Sequence, residues 1–438
     1  MAVAQPVKLE NHWLPFTPNR DFHEEPKLFS RAEGVHYYTP EGRAVLDGCS
    51  GLFTSPIGHG RKEIAEAVYK QLLELDFVSS FQRSHPKAFE AAERVARLTP
   101  DGLDKIFFCN SGSEAVDTAM KIAMAYHRAR GQGSRTMFVS RERAYHGVGF
   151  GGVALSGLVN NRRTFGPGLP NTVHMRHTHG TERFVMGEPE QGADLAEDLA
   201  RVIALHGAEN IAACFVEPIA GSTGMLVPPK GYLKRLRELC TQHGILLVFD
   251  EVITGFGRTG RAFAAQSFGI KPDLMTMAKA ITNGVQPMSA VAADNSVYKT
   301  IVEDSPNPKA ANEFFHGYTW SAHPAACAAA IATIDIYEKE RLFERANQMS
   351  AYFLEGLFSL KDIPVVTDIR GYGMAGGIDV APTQIPGERG HMLQKKLYDN
   401  GLHIKTTGDS GILAPPFIMT TDHIDQMVEI SRKTLKAM

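Results

Sequence analysis

The hydrophobic positions of this chain change their spacing as the sequence proceeds. In the first sixty residues they come as short pieces, Val35-His-Tyr-Tyr38 and Ala44-Val-Leu46, set among Pro, Gly and aromatic residues. That pattern predicts an irregular arm followed by small strands. From Arg61 onward, Ile64, Val68 and Leu72 recur at helical spacing. Short apolar runs then alternate with longer helical stretches. The runs Lys105–Cys109, Thr136–Ser140, Ile211–Val216, Ile245–Phe249 and Leu274–Met277 read as buried strands. A helix is predicted over Tyr232–His243, with Leu233, Leu236, Leu239 and Cys240 on one face and Gly244 as its stop. Another spans about Ser113 to Arg130, with Val116, Met120 and Tyr126 inward and Gly131 ending it. After Ala325 an Ala-rich helix leaves the sheet region. Val365-Val366 and Gly376–Val380 then introduce a smaller α+β lobe.

Strands alternating with helices predict an α/β chain, a mostly parallel sheet covered by helices. Residues 1–60 would form an arm and part of a small domain, 61–330 a large domain, and 331–438 a C-terminal small domain. No internal repeat or low-complexity linker interrupts this order.

Composition narrows the function classes. A chain of 438 residues is too long for one small core. A formal net charge of −2, with no block of like charges, argues against a nucleic-acid partner. No apolar run is long enough to span a bilayer. The start, Met1-Ala-Val-Ala-Gln-Pro6, lacks the basic and apolar stretches of a secretory signal. Cys49, Cys109, Cys214, Cys240 and Cys327 are odd in number and contain no C-x-x-C pair, so neither disulfides nor a zinc site is expected. A reduced, cytoplasmic setting fits.

The candidate chemistry lies at the ends of the predicted strands, where open α/β sheets gather ligands. Those ends carry Asn110-Ser-Gly-Ser-Glu114, Glu217, Asp250-Glu-Val252 and Lys279. Ser111-Gly112-Ser113 joins a strand to a helix, and free N–H groups there suit a phosphate. An ordinary N-cap with Glu114 in the first turn is the other reading. Asp250 ends a very hydrophobic strand and needs a partner, either a protonated heterocyclic nitrogen or a structural Arg. Lys279 follows the apolar stretch Asp273–Ala278. It is either a desolvated nucleophile toward carbonyls or a lysine whose head group reaches solvent. Gly255-Phe-Gly-Arg-Thr-Gly260 matches a dinucleotide fingerprint, but it does not follow its strand directly and opens no strong helix, so it reads as a loop. His59, His146, His316 and His323, taken alone, read as loop or core residues.

Joined together, these segments resemble the class III (ω-) aminotransferases, enzymes of the fold-type I pyridoxal-phosphate architecture with a seven-stranded type of sheet and a smaller lobe built from both termini. The resemblance runs from about Trp13 to the C-terminus. It is densest over Ile245–Gly260, with Lys279 about thirty residues beyond Asp250. Within the family the chain is most similar to ω-amino acid:pyruvate aminotransferases, through Ser50–Phe53, Gly58–Glu63, Tyr145-His-Gly147 and His316–Pro324. The resemblance implies pyridoxal 5'-phosphate as cofactor and ping-pong transfer of an amino group from an ω-amino acid or primary amine to a keto acid such as pyruvate. An aminomutase, another amine donor, or a nucleotide-binding oxidoreductase resting on the glycine loop are the alternatives.

The same resemblance assigns residues. Lys279 would carry the cofactor and, once freed, move the proton, while Asp250 would keep the ring nitrogen protonated. Val252 and Tyr145 would cover the two ring faces. Ser111, Gly112 and Ser113 would bind the phosphate, helped by Thr319 of a neighbouring copy in a homodimer or tetramer. His146 and Glu217 join the cofactor-binding set, and Phe53, Ser222, Arg83 and Lys405 the substrate side. Two positions depart from the family pattern. Phe53 stands where Trp is common, and Lys405 where an Arg usually takes the substrate carboxylate. Lysine keeps the charge but loses the fork, so α-carboxylate affinity would change or Arg83 would contribute.

Overall fold

The apolar runs become strands of one seven-stranded sheet in the computed structural model, which describes residues 8–166, 168–180 and 182–438. The Met1–Pro6 start lies outside the described residues. Across the sheet the order is Lys105–Cys109, Ser289–Ala293, Leu274–Met277, Leu246–Asp250, Ile211–Val216, Met137–Arg141 and Thr172–Met175. Every neighbouring pair is parallel except those made by Ser289–Ala293, which runs antiparallel to both its neighbours. The mostly parallel α/β architecture is therefore as expected.

Both faces of the sheet are covered, and the strand period of two sorts the side chains between them. Phe215, Val248 and Leu274 point into one apolar layer with Ala115, Ala119 and Ile122 of the Gly112–Ala129 helix. Their neighbours Val216, Phe249 and Met275 point into the other, with Leu236 of the Tyr232–His243 helix and Tyr337 of the Pro324–Lys339 helix. Phe215 and Phe249 have no exposed surface, and burying each contributes about 1.5–3 kcal/mol.

The termini meet in the smaller region. Arg31–Glu33, His36–Tyr38 and Ala44–Asp47 form a sheet completed by Leu402–His403. Val366–Tyr372, Ala375–Val380, Ser410–Leu413 and Lys405–Thr407 form another.

Several expectations shift. Two strands start and end one residue later than read, as Met137–Arg141 and Leu246–Asp250. The second shift matters, because it keeps the Asp250 backbone in the ladder opposite Thr276. Thr172–Met175 and Ser289–Ala293 are strands that the pattern did not announce. Tyr126 is only half-buried; the neighbouring His127 is the inward residue and bonds the Ala212 carbonyl through Nε2 at 2.9 Å.

Candidate active site

With the sheet parallel, the chain leaves Cys109, Arg141, Val216, Asp250 and Met277 along one edge. The antiparallel strand enters there too: Ser289 pairs with Cys109 and donates its hydroxyl to the Ser111 carbonyl at 2.7 Å. Topology alone thus gathers the acids, the lysine and the serine loop.

Asp250 is buried, and no arginine among the described residues holds it. Oδ1 accepts the Thr276 hydroxyl at 3.0 Å and the Val252 N–H at 3.2 Å. Oδ2 lies 2.8 Å from His146 Nδ1. The structural-arginine reading therefore gives way to a buried histidine. The other ring nitrogen of His146, Nε2, is buried with no hydrogen-bond partner among the described residues. The Thr276 contact was invisible in the sequence, since it depends on the register between two parallel strands.

Lys279 follows the Leu274–Met277 strand at a positive φ of 53° and opens a short 3₁₀ turn. Its Nζ sits 5.1 Å from the centre of the Phe53 ring. Burial pulls its pKa down to about 8; the negative charge of Asp250 opposes that fall and the positive charge of Lys405 adds to it. Lys405 is half-buried on the Lys405–Thr407 strand, and burial lowers its pKa as well. It has no carboxylate partner among the described residues.

Glu217 lies fully inside. Its Oε1 accepts the Tyr145 N–H at 3.0 Å and its Oε2 the Gly221 N–H at 3.1 Å. Burial pushes its pKa up to about 7, with Asp250 adding to the rise and His146 opposing it. Ser222, one residue past Gly221, is buried in the same loop. Arg141, missed in the sequence, donates to the Glu217 carbonyl.

The serine loop combines both of its sequence readings. Ser111 is an N-cap whose Oγ accepts the Glu114 N–H at 3.2 Å, and the Glu114 carboxylate accepts the Asn110 N–H at 2.8 Å. The N–H groups of Gly112 and Ser113, in the first turn, have no acceptor among the described residues. Ser113 Oγ accepts the Val148 N–H at 2.9 Å, which leaves its own proton free to donate. A Cβ on Gly112 would stand 3.1 Å from both Val252 methyls, so glycine is needed for helix start and Val252 to sit this close.

Two sequence candidates are not brought to Lys279 within this chain. Arg83 is exposed and donates to the Gln82 carbonyl at 2.8 Å. Thr319 is exposed in the turn before the Pro324–Lys339 helix. Gly255–Gly260 forms a packed loop, as read. A Cβ on Gly257 would lie 2.7 Å from Phe343 and Phe417, and the buried Arg258 bonds the Met374 and Pro415 carbonyls.

The family model "Aminotransferase class-III" matches residues 19–435. This chain belongs to that family. The omega-aminotransferase of Caulobacter vibrioides is 51% identical, over 98% of this chain and 97% of that protein. The omega-amino acid--pyruvate aminotransferase of Pseudomonas putida is 45% identical, over 98% and 96%. Among solved structures, the omega transaminase of Pseudomonas jessenii in complex with PMP superposes with a TM-score of 0.92 at 33% identity, covering 98% of this chain and 96% of that one. A class III aminotransferase is a pyridoxal-phosphate enzyme that moves an amino group from an amine donor to a keto acid. Neither the aminomutase nor the oxidoreductase reading has support in these matches. No helix of the described residues is long and apolar enough to cross a membrane.

Proposed function

We propose that this aminotransferase takes the amino group from an ω-amino acid or another primary amine and delivers it to pyruvate, with pyridoxal phosphate carried on Lys279. The observation that carries the reading is a buried Asp250, paired with a histidine and with no arginine among the described residues, at the strand end beside a desolvated lysine. The names of the 51% and 45% identical relatives support the donor class and the acceptor.

The residues fit the cofactor. The two unpaired N–H groups at a helix start, with the hydroxyl of Ser113, form a donor set for a phosphate dianion. The glycine that permits the Val252 contact leaves a cradle which a side chain would fill. Ser111, Gly112 and Ser113 would hold the phosphate, Val252 and Tyr145 the ring faces, and Asp250 the ring nitrogen. When bound, pyridoxal phosphate supplies an electron-accepting ring that makes the substrate C–H acidic.

The protein's own part is to place charges and a proton. Asp250, fixed by Thr276, Val252 and His146, presents a carboxylate that cannot rotate away. Lys279 Nζ, with a depressed pKa, would be neutral often enough near pH 8 to take a proton from the amine-bearing carbon of the substrate and to hold it for return from the same face. Phe53 forms an apolar floor under that amine. Lys405, lacking an acid of its own, would meet the substrate carboxylate, and Ser222 would line the same side; no observation places Arg83 there.

A second copy of the chain is part of the reading. Phe81, Phe315 and Trp320 are exposed around Thr319, and an apolar patch of this kind marks an interface. Thr319 would reach the partner's phosphate site in a homodimer or a larger even assembly. The boundaries 1–60, 61–330 and 331–438 remain our proposed division into arm, large and small domains. Five buried, unbridged cysteines support a reducing cytoplasmic setting.

Purified protein loaded with pyridoxal phosphate should show a visible band that an amine donor bleaches and pyruvate restores, with alanine formed. Lys279→Ala should lose the band and roughly 10²–10⁴-fold or more of the turnover. Persistent transamination in that variant would reject the assignment of Lys279.

A further inference from the structure

His179, Asp368 and Asp379 bring ligand atoms within 4.8 Å of one another, the pattern of a cation site. A guanidinium already occupies that role. Arg370 Nη1 donates to Asp368 Oδ2 at 2.8 Å and to Asp379 Oδ2 at 2.9 Å. Nη2 donates to Asp379 Oδ1 at 2.7 Å and to Ser410 Oγ at 3.0 Å. The last donor, Nε, crosses to the Gly224 carbonyl at 2.7 Å. All five N–H groups of the side chain are used, which no other residue type could reproduce. Burial alone would raise the pKa of Asp379, but hydrogen bonds from His179 and Arg370 hold it well below the ordinary carboxylate range.

The acids and Arg370 belong to the C-terminal Val366–Tyr372 and Ala375–Val380 strands, whereas Gly224 belongs to the loop after Ile211–Val216. The approach is close on both sides. A Cβ on Gly224 would lie 2.6 Å from Arg370 Nη2, and one on Gly377 would lie 2.4 Å from the Gly224 carbonyl oxygen. From Gly224 the connection continues to the candidate site. The Gly224 N–H closes a turn on the Gly221 carbonyl at 3.2 Å, and the Gly221 N–H donates to Glu217 Oε2 at 3.1 Å. Glu217 Oε1 in turn accepts the N–H of Tyr145 at 3.0 Å.

We propose that Arg370, gripped by Asp368 and Asp379, is a positioning residue for transamination: it pins the Gly221–Gly224 turn and thereby fixes Glu217 and the Tyr145 backbone. This rests on the placement of Glu217 and Tyr145 at the cofactor. Arg370 does not touch the reacting atoms. A buried ion cluster is weak evidence for stability, because desolvation offsets its attraction. Its bond to a loop carbonyl outside its own sheet gives it a use that charge pairing alone does not require.

Arg370→Lys tests this, since it keeps the charge and loses the five-bond geometry. In cofactor-free protein, amide exchange at Gly221 and Gly224 should speed up by about 10-fold, while the Gly112–Ala129 helix is unchanged. In the loaded enzyme, kcat per bound cofactor should fall about 10-fold with little change in KM, and the same substitution added to Glu217→Gln should cost nothing more. Unchanged exchange in the turn, or losses that add fully in the double variant, would overturn the proposal. If Arg370→Lys does not fold, Asp368→Asn retains the fork to Asp379 and permits the same measurements. A parent protein without transaminase activity would remove the functional reading, and the exchange experiment would still decide whether Arg370 holds the turn.

Discussion

The state of the Lys279 amine offers the sharpest test of the site. An ordinary lysine ionises near 10.5, and burial brings Lys279 down to about 8, a bias toward the neutral amine of about 3 kcal/mol. At pH 7.5 about one in four such amines is neutral, against about one in a thousand for an ordinary lysine. The nucleophile is thus enriched roughly 200-fold before any cofactor arrives. Competitive acylation of cofactor-free protein, read peptide by peptide in a mass spectrometer, gives the midpoint for Lys279 alone. It should lie near 8. Lys405→Met removes a repelling cation and should raise that midpoint; Asp250→Asn removes an attracting anion and should lower it. The folded chain binds fewer protons at Lys279 than the unfolded chain between about 8 and 10.5. Cofactor-free protein should therefore gain stability from this group as pH rises through that window. A midpoint at 10 or above, or shifts of the opposite sign in the two variants, would refute the desolvation argument.

Gly112→Ala places a methyl 3.1 Å from both Val252 methyls, and overpacking of about 1–3 kcal/mol should weaken cofactor retention by about 10-fold or more in a fluorescence titration. Parental affinity in that variant would show that the Gly112–Val252 contact does not shape the cradle. Lys405→Arg restores a fork toward carboxylate and should lower the KM for pyruvate about fivefold, with kcat nearly unchanged. Identical saturation curves would take Lys405 out of substrate binding. Glu217 has the opposite linkage from Lys279: its pKa rises from 4.5 to about 7, so its stabilising protonation is present at acid pH and lost as pH climbs through that range. Glu217→Gln should flatten the resulting fall in melting temperature between pH 5 and 7.5, and an unchanged slope would contradict the buried, protonated acid.

Much of the sheet was legible because parallel strands buried on both faces are continuous apolar runs, and Ile211–Val216 and Leu274–Met277 have those limits in the structure. Ser289–Ala293 escaped notice because Ser-Ala-Val-Ala-Ala has neither aromatic nor strand-like alternation; it is a strand because it fits between two neighbours where bulk is unwelcome. Thr172–Met175 is an edge strand of half-buried residues and carries a weak signal for the opposite reason. Among the site residues, Asp250 and Lys279 announced themselves as polar groups at the ends of apolar stretches. His146 did not. A histidine in a glycine-rich loop has no pattern of its own, and its 2.8 Å contact with Asp250 arises from two segments 104 residues apart. Arg370 was equally silent, since its four partner residues lie on four different segments of chain.

Backbone strain gives an independent reason to place the chemistry where Lys279 stands. Phe53 and Lys279 face each other, and both have positive φ, 62° and 53°. A non-glycine residue held there costs about 1–2 kcal/mol, so the pair stores about 2–4 kcal/mol. The segments that follow them are tied by one residue. Asn283 donates from Nδ2 to the Gly58 carbonyl at 2.8 Å and accepts the Ile57 N–H at 3.3 Å, while its own carbonyl accepts the Ser55 hydroxyl at 3.2 Å. Three hydrogen bonds of about 0.5–1.5 kcal/mol each are of the size needed to offset the strain. A fold that only had to bury Leu274–Met277 would have no use for this arrangement. It is useful if the lysine amine must stand over an aromatic floor in one orientation. The proposed substrate wall at Phe53 and the proposed reactive amine are then set by the same clamp, so a change of side chain at position 53 should alter donor preference without displacing Lys279.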